Sequence, residues 1–384
     1  MVTLIKNIEV YAPEYLGKQD LLISNTIEEI SDEININGIN IIDGSEYYAF
    51  PGFIDSHVHI LGGGGEGGFS TRTPELKISD MITAGVTTVV GCLGTDGICR
   101  DMKSLIAKAK GIKEYGLSAY IYTGSYRLPL KTLTGSVMED IMLIEEVIGV
   151  GEIAISDHRG SNPTFDEFTR VVADARTAGM LSGKSGIVNI HVGSGKDGLK
   201  YVFDMIEKTD IPATQVMPTH MARNERLVEE AILLCNKGGQ VDFTTSTSSV
   251  PSKDDDLACS KVLKRLLNEG ISPDRISFSS DGQGSLPKFN ASGEYIGMGI
   301  GTCKSLYDTA KECIIEEGIE IEKALKPITS SPATALKLKN KGRVEKGKDA
   351  DLVLVDKHTL EIDTVICNGN LLMKNKKSIV KDKF

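Results

Sequence analysis

The chain has 384 residues, 40% hydrophobic and 25% charged, which excludes a disordered or fibrous protein and leaves room for one large domain and a smaller one. Its formal charge of -10, with lysine and arginine scattered along the chain, excludes nucleic acid and an anionic membrane surface as main partners and leaves a small molecule. No apolar run reaches membrane-spanning length, the opening residues lack a secretory signal, and the seven cysteines show no C-x-x-C spacing; reduced thiols and a cytoplasmic protein are expected.

Residues 1 to about 50 read as short strands, LIKNIEVYA, DLLISN, IEEIS and INGINIIDG, punctuated by Gly, Asn and Asp, and predict a small antiparallel sheet. The complement of that sheet is expected at the other end of the chain, in DADLVLVD, EIDTVICNG and NLLMKNKKSIV, so residues 1–51 and 342–384 are read as one small β domain. From 52 to 341 the pattern alternates between strand-like apolar runs and helix-length segments. The predicted strands are 53–60, 87–94, 118–125, 152–158, 187–193, 215–221, 241–247 and 276–282. Each precedes a helical pattern, as in DMKSLIAKAKGIKEYG, SVMEDIMLIEEVIG and ERLVEEAILLCNKGG. Eight such units predict an α/β fold of the (β/α)8 TIM-barrel type, whose chemistry gathers at the C-terminal strand ends.

The first strand ends in His57-Val58-His59, and side chains two apart on a strand point the same way, so both imidazoles converge on one point. The chain has only six histidines, and four of them, His57, His59, His191 and His220, fall at the ends of predicted strands 1, 5 and 6. Strand 8 adds Asp281, and strand 4 is read as beginning with Glu152. Four imidazoles and two carboxylates suit a pair of zinc-like ions, with Mn²⁺, Co²⁺ or Fe²⁺ as alternatives on the same nitrogen and oxygen donors. His158 is read as a supporting or loop residue, His358 as exposed, Lys184 as a turn residue that could approach the mouth, and no cysteine is given a chemical role. The run Gly62–Gly65 lacks the Lys-Ser/Thr and helix start of a phosphate loop, and is read as a close backbone approach to substrate.

These residues resemble the amidohydrolase superfamily, and within it the isoaspartyl dipeptidase family. The resemblance spans nearly the whole chain, through GFIDSHVHILGGGGEGG, AGVTTVVGCLGTD, TGSY, AISDHR, GKSG, PTHMARN, SSDGQGS and KGKDADLVL. It implies two zinc ions per chain, a homo-oligomer, and hydrolysis of the side-chain-linked amide of β-aspartyl dipeptides. One departure concerns the bridging ligand. The family places a carboxylated lysine just before the AISDHR block, whereas this chain carries Gly151-Glu152-Ile153, with one residue more than the lysine form. Glu152 offers the same charge on a shorter stem, and a bulge beside Gly151 is expected to bring it inward.

The resemblance also implies roles. A bridging hydroxide would attack the β-amide carbonyl while Tyr126, in the TGSY loop, steadies the oxyanion or serves as a wall residue. Asp281 would act as ligand and proton carrier, or as ligand alone. A zwitterionic dipeptide needs one acid and two guanidinium groups. Glu66 matches the residue for the ammonium, Arg159 and Arg223 match those for the carboxylates without a division between them, Ser285 adds a hydroxyl, and Thr95 is a lining candidate. Arg159 has a competing reading as the ion-pair partner of Asp157. Alternatives for the whole chain are another amidohydrolase, such as a cyclic amidase of dihydropyrimidinase type or an N-acyl amino acid deacylase, or a non-catalytic scaffold on the same barrel.

Overall fold

The structure, a computed structural model, describes residues 2–246, 257–289 and 295–383. Eight parallel strands form the barrel: β1 Phe53–Val58, β2 Val86–Gly91, β3 Ser118–Thr123, β4 Val147–Ile155, β5 Ile187–Val192, β6 Val216–Thr219, β7 Val241–Thr244 and β8 Ile276–Ser279. The first α-helix after each strand is, in order, α1 Ile78–Thr83, α2 Met102–Glu114, α3 Val137–Leu143, α4 Phe165–Ser182, α5 Lys200–Lys208, α6 Glu225–Asn236, α7 Cys259–Asn268 and α8 Lys304–Ile315. Strands β1 to β6 share one ladder and β7 pairs with β8. Single backbone hydrogen bonds join the two pieces: Met221 N to Asp242 O at 3.3 Å, His59 N to Gly282 O at 2.9 Å and Asp281 N to His57 O at 3.1 Å. Burial on both faces explains why the strands read as continuous apolar runs rather than alternating ones.

The fourth strand corrects the sequence reading. It begins at Val147, not at Glu152, and α3 stops at Leu143 although the pattern suggested helix to residue 149. The turn is fixed from outside, because the Lys184 ammonium donates to the carbonyls of Ile141 at 2.8 Å and Val147 at 2.9 Å, and also to Ile144. Lys184 therefore caps the end of α3 and does not approach the mouth. Farther along, Val150 pairs with Val188 and Ile153 with Ile190, so Gly151 and Glu152 together face Asn189 alone. This is the bulge expected beside Gly151. Gly151 has φ 152°, and a Cβ there would meet the Asn189 Cβ and carbonyl oxygen at 2.9 Å. The predicted end of the seventh strand at residue 247 lies outside the described residues, and β7 ends at Thr244.

Both chain ends build one further sheet, from Thr3–Tyr11, Tyr15–Ile23, Ile27–Ser31, Asn40–Asp43 and Tyr47–Pro51 together with Leu352–Asp356, Ile362–Cys367, Asn370–Lys374 and Lys377–Ser378. It is mixed rather than purely antiparallel, because the first strand runs parallel to both Asn40–Asp43 and Tyr47–Pro51. Its own apolar cluster includes Ile8, Leu21, Ile23, Leu352 and Leu354, all at most 1% exposed. The two ends meet tightly at Gly369, with φ 71°, where an added Cβ would lie 1.6 Å from the Ser24 carbonyl oxygen. Gly369→Ala is expected to cost more than about 1 kcal/mol, read as a lower thermal midpoint, because both the positive φ and the contact oppose a side chain.

Candidate active site

The C-terminal strand ends bring the predicted ligands together. Glu152 is fully buried, and around it lie His57 (0% exposed), His59 (6%), His191 (2%) and His220 (4%). Glu152 Oε2 is 3.4 Å from His57 Nε2, 3.1 Å from His191 Nδ1 and 3.6 Å from His220 Nε2, while Oε1 is 3.3 Å from His59 Nε2. Asp281 Oδ1 completes the group at 3.1 Å from His59 Nε2 and 3.7 Å from His57 Nε2.

Three of the rings, His57, His191 and His220, are oriented by their other nitrogen. His57 Nδ1 donates to Asn189 Oδ1 at 3.0 Å, and His220 Nδ1 pairs with the Thr244 hydroxyl at 2.6 Å. His191 Nε2 donates to Asp157 Oδ2 at 2.9 Å, which leaves Nδ1 facing Glu152 and 2.7 Å from the Tyr126 hydroxyl. Such outer partners set the tautomer of a ligating imidazole. Two of these residues hold strained backbone, His220 at φ 66° and Asp281 at φ 50°, a conformation that costs on the order of 1–3 kcal/mol and clusters at functional sites.

Burial pushes the Glu152 carboxyl up, but the imidazoles of His57, His191 and His220 outweigh it and hold the group well below the usual carboxylate range. Asp281 follows the same balance: burial raises it, and His59, then His220 and His57, bring it down to about 2. Burial, with Arg223 and His191 nearby, keeps His220 well below its ordinary value and so neutral, the form that binds a metal. Burial and the Glu152 charge raise Tyr126 well above the usual phenol value, which keeps its proton available for donation.

The donor set fits divalent ions. His57 Nε2, Glu152 Oε1 and Asp281 Oδ1 are buried without a hydrogen-bond partner, although buried polar groups are almost always paired. One donor atom from each of His57, His59, Cys92 and Glu152 lies within 4.8 Å of the others, and so do donors from Glu152, His191 and His220. Cys92 has no place in the sequence reading; its position just past β2, at the same end as the histidines, is the signal that could have found it.

The expected substrate-side residues line one cleft beside this cluster. Glu66 sits at its centre: Oε1 accepts from the Thr95 hydroxyl at 2.9 Å and from Arg159 Nη1 at 3.3 Å, and Oε2 accepts from Ser285 at 3.3 Å. Arg159 also grips Asp157 through Nη2 at 2.7 Å and Nε at 3.0 Å, so the structural pairing and the cleft position coexist. Arg223 lines the same cleft. His158 and His358 are exposed loop residues. The glycine run approaches the chain's own backbone: a Cβ on Gly62 would lie 2.3 Å from the Thr73 carbonyl oxygen, and one on Gly64 2.7 Å from that of Thr71.

Beneath the site lie two buried carboxylates to which the sequence reading assigns no role, Asp55 within the GFIDSHVH block and Asp242 outside any block. Asp242 accepts from Thr219 at 2.6 Å, Ser277 at 2.7 Å and Ser279 at 2.5 Å, tying together the strands that carry His220 and Asp281. Asp55 accepts from the Ser280 amide at 2.9 Å and from its hydroxyl.

Residues 48–372 match the amidohydrolase family. The chain belongs to that family. Among solved structures, the β-aspartyl dipeptidase of Fervidobacterium islandicum AW-1 in complex with β-Asp-Leu superposes on this amidohydrolase with a TM-score of 0.94 at 47% identity, covering 100% of this chain and 99% of that one. A second structure of a β-aspartyl dipeptidase from the same organism gives 0.92 at 45%, with 100% of both chains covered. Two further matches are more distant. The dihydropyrimidinase of Brevibacillus agri, at 16% identity and a TM-score of 0.67 over 99% of this chain and 96% of its own, shares the fold. The dihydroorotase of Elusimicrobium minutum is 23% identical, covering 100% of this chain and 96% of its own length.

Burial raises Asp55 to about 7, above the value near 3.9 of an unfolded aspartate. The folded state then holds a proton that the unfolded state has lost, so this group's contribution to stability is full below about pH 4 and is lost as pH rises through 7. Denaturant midpoints between pH 5 and 8 should show that decline, and Asp55→Asn should flatten it.

Proposed function

We propose that this amidohydrolase is a divalent-metal dipeptidase that hydrolyses the β-aspartyl amide of dipeptides, with two zinc ions held by His57, His59, Glu152, His191, His220 and Asp281. The observation that carries the reading is Glu66, a carboxylate within hydrogen-bond reach of Thr95, Ser285 and Arg159 at the rim of the imidazole–carboxylate cluster. The 47% identity to a dipeptidase solved with β-Asp-Leu supports it. A cyclic amidase needs no acid flanked by arginines for an ammonium, and the cyclic amidases matched are remote.

Bound divalent ions acidify water and polarise a carbonyl. The protein's own residues do the rest. Glu66 takes the substrate ammonium, exchanging its present contacts with Thr95 and Ser285 for a charged one. Arg159 and Arg223 take the two carboxylates, and Asp157 fixes the Arg159 fork so that little entropy is lost on binding. Tyr126, protonated and buried beside Glu152, donates to the carbonyl oxygen as negative charge develops there. Asp281, ionised and on the rim, accepts the proton of the attacking water and passes it to the leaving nitrogen. Asp281 lines the cleft with 14% of its side chain exposed, which places it between the buried cluster and the substrate side. Glu152 would hold both ions in place of a carboxylated lysine, so activity should be independent of added bicarbonate. With the resemblance read from the sequence, the proposal extends to a cytoplasmic homo-oligomer.

Zinc-loaded protein is expected to release Leu from β-Asp-Leu and not from α-Asp-Leu; no cleavage of β-Asp-Leu would refute the reading. Glu152→Ala should abolish turnover together with metal content, measured by elemental analysis of the purified variant. Tyr126→Phe should lower kcat by roughly 100- to 1,000-fold, as for loss of one oxyanion donor, and an unchanged kcat would remove its role.

A further inference from the structure

The end of β2 brings a sulfur to this site. Cys92 is 1% exposed, and its amide donates to the Val58 carbonyl at 3.0 Å, which pins it between the levels of His57 and His59. Its Sγ lies 3.6 Å from the Val58 oxygen and 3.8 Å from His59 Nδ1. A donor atom from each of His57, His59, Glu152 and Cys92 lies within 4.8 Å of the others, and two of these groups, His57 Nε2 and Glu152 Oε1, are buried with no hydrogen-bond partner. The chain passes close here: a Cβ on Gly94 would lie 2.9 Å from His59 Cε1 and 3.5 Å from Glu152 Oε1. Glycine at 94 leaves the thiol at 92 as the side chain that this close passage delivers to the cluster. The neighbouring group of Glu152, His191 and His220 has no sulfur.

We propose that Cys92 is a thiolate ligand of the ion held by His57, His59 and Glu152, so that one half of the site offers nitrogen, oxygen and sulfur and the other only nitrogen and oxygen. The inference rests on the metal-dependent reading above. On coordination the thiol proton is released to solvent and a metal–sulfur bond forms, with no change of oxidation state. A thiolate favours Zn²⁺ or Co²⁺ over Mn²⁺ or Mg²⁺, so the two halves should differ in metal preference.

The full-length protein, stripped of metal and reloaded with two equivalents of Zn²⁺ or Co²⁺, provides the test. X-ray absorption of the zinc form should contain sulfur at about 2.3 Å besides nitrogen and oxygen at about 2.0–2.2 Å. The cobalt form should show a thiolate-to-cobalt charge-transfer band in the near ultraviolet. Cys92→Ser and Cys92→Ala should lose both signals, the other six cysteines being intact, and should bind one of the two ions more weakly. Two bound ions with only nitrogen and oxygen neighbours and no charge-transfer band would overturn the ligand role while leaving the metal reading standing. Failure of the wild-type protein to bind metal would overturn both. The wild-type spectra decide the matter even if a variant does not fold.

Discussion

Glu152 carries its carboxylate into the middle of four imidazoles, with every one of its polar contacts between 3.1 and 3.6 Å and no access to water. An ion at that depth is tolerable only where opposite charge and hydrogen-bond donors surround it. The surrounding structure meets this demand in layers. The bulge at Gly151 swings the side chain inward, and Asn189, which faces the bulge, also orients His57. Asp157 and Thr244 fix His191 and His220 in the same way. Below them Asp242 binds three hydroxyls from the two strands on either side of it. Local strain at His220 and Asp281 is sustained because the barrel around them over-determines their position.

The cleft above depends on a second set of ties that join loops distant in sequence. Arg100 donates to the Leu61 carbonyl at 3.0 Å and to that of Thr73 at 3.1 Å. The Thr73 hydroxyl in turn accepts from the Gly63 amide at 2.6 Å and donates to the Gln283 carbonyl at 2.5 Å. The loop bearing Glu66 is thereby fastened to the loop bearing Asp281 and Ser285. The roles proposed for Glu66 and Asp281, ammonium binding and proton transfer, would require such a fixed separation, since misplacement of about 1 Å is costly to catalysis. The glycines at 62 and 64 are explained by this fastening, because a side chain at either would strike the backbone of Thr71–Pro74.

Much of this was legible in the sequence. The strand period places His57 and His59 on one face, buried parallel strands read as apolar runs, and the alternation of strand and helix over residues 52–341 fixes the fold class. Dense local motifs at 57–66 and 279–285 mark the metal-binding and ammonium-binding candidates before any coordinates. The glutamate in place of a lysine is equally a statement of the one-dimensional chain.

What the sequence could not decide depends on contacts between distant segments. The start of β4 was misplaced because helix propensity through residues 136–149 is local, whereas Lys184, some forty residues on, terminates α3 from outside. The mixed pairing of the terminal sheet was hidden because strand direction is set by partner choice, not by alternation. Cys92, Asp55 and Asp242 have no partner within their own segments and acquire meaning only where the barrel closes on them. Sequence by itself determined which donors this protein possesses and on which strand ends they sit, because side-chain periodicity is a local property of the backbone. The tertiary structure decided which donors face one another, since that distance is set by closure of the barrel.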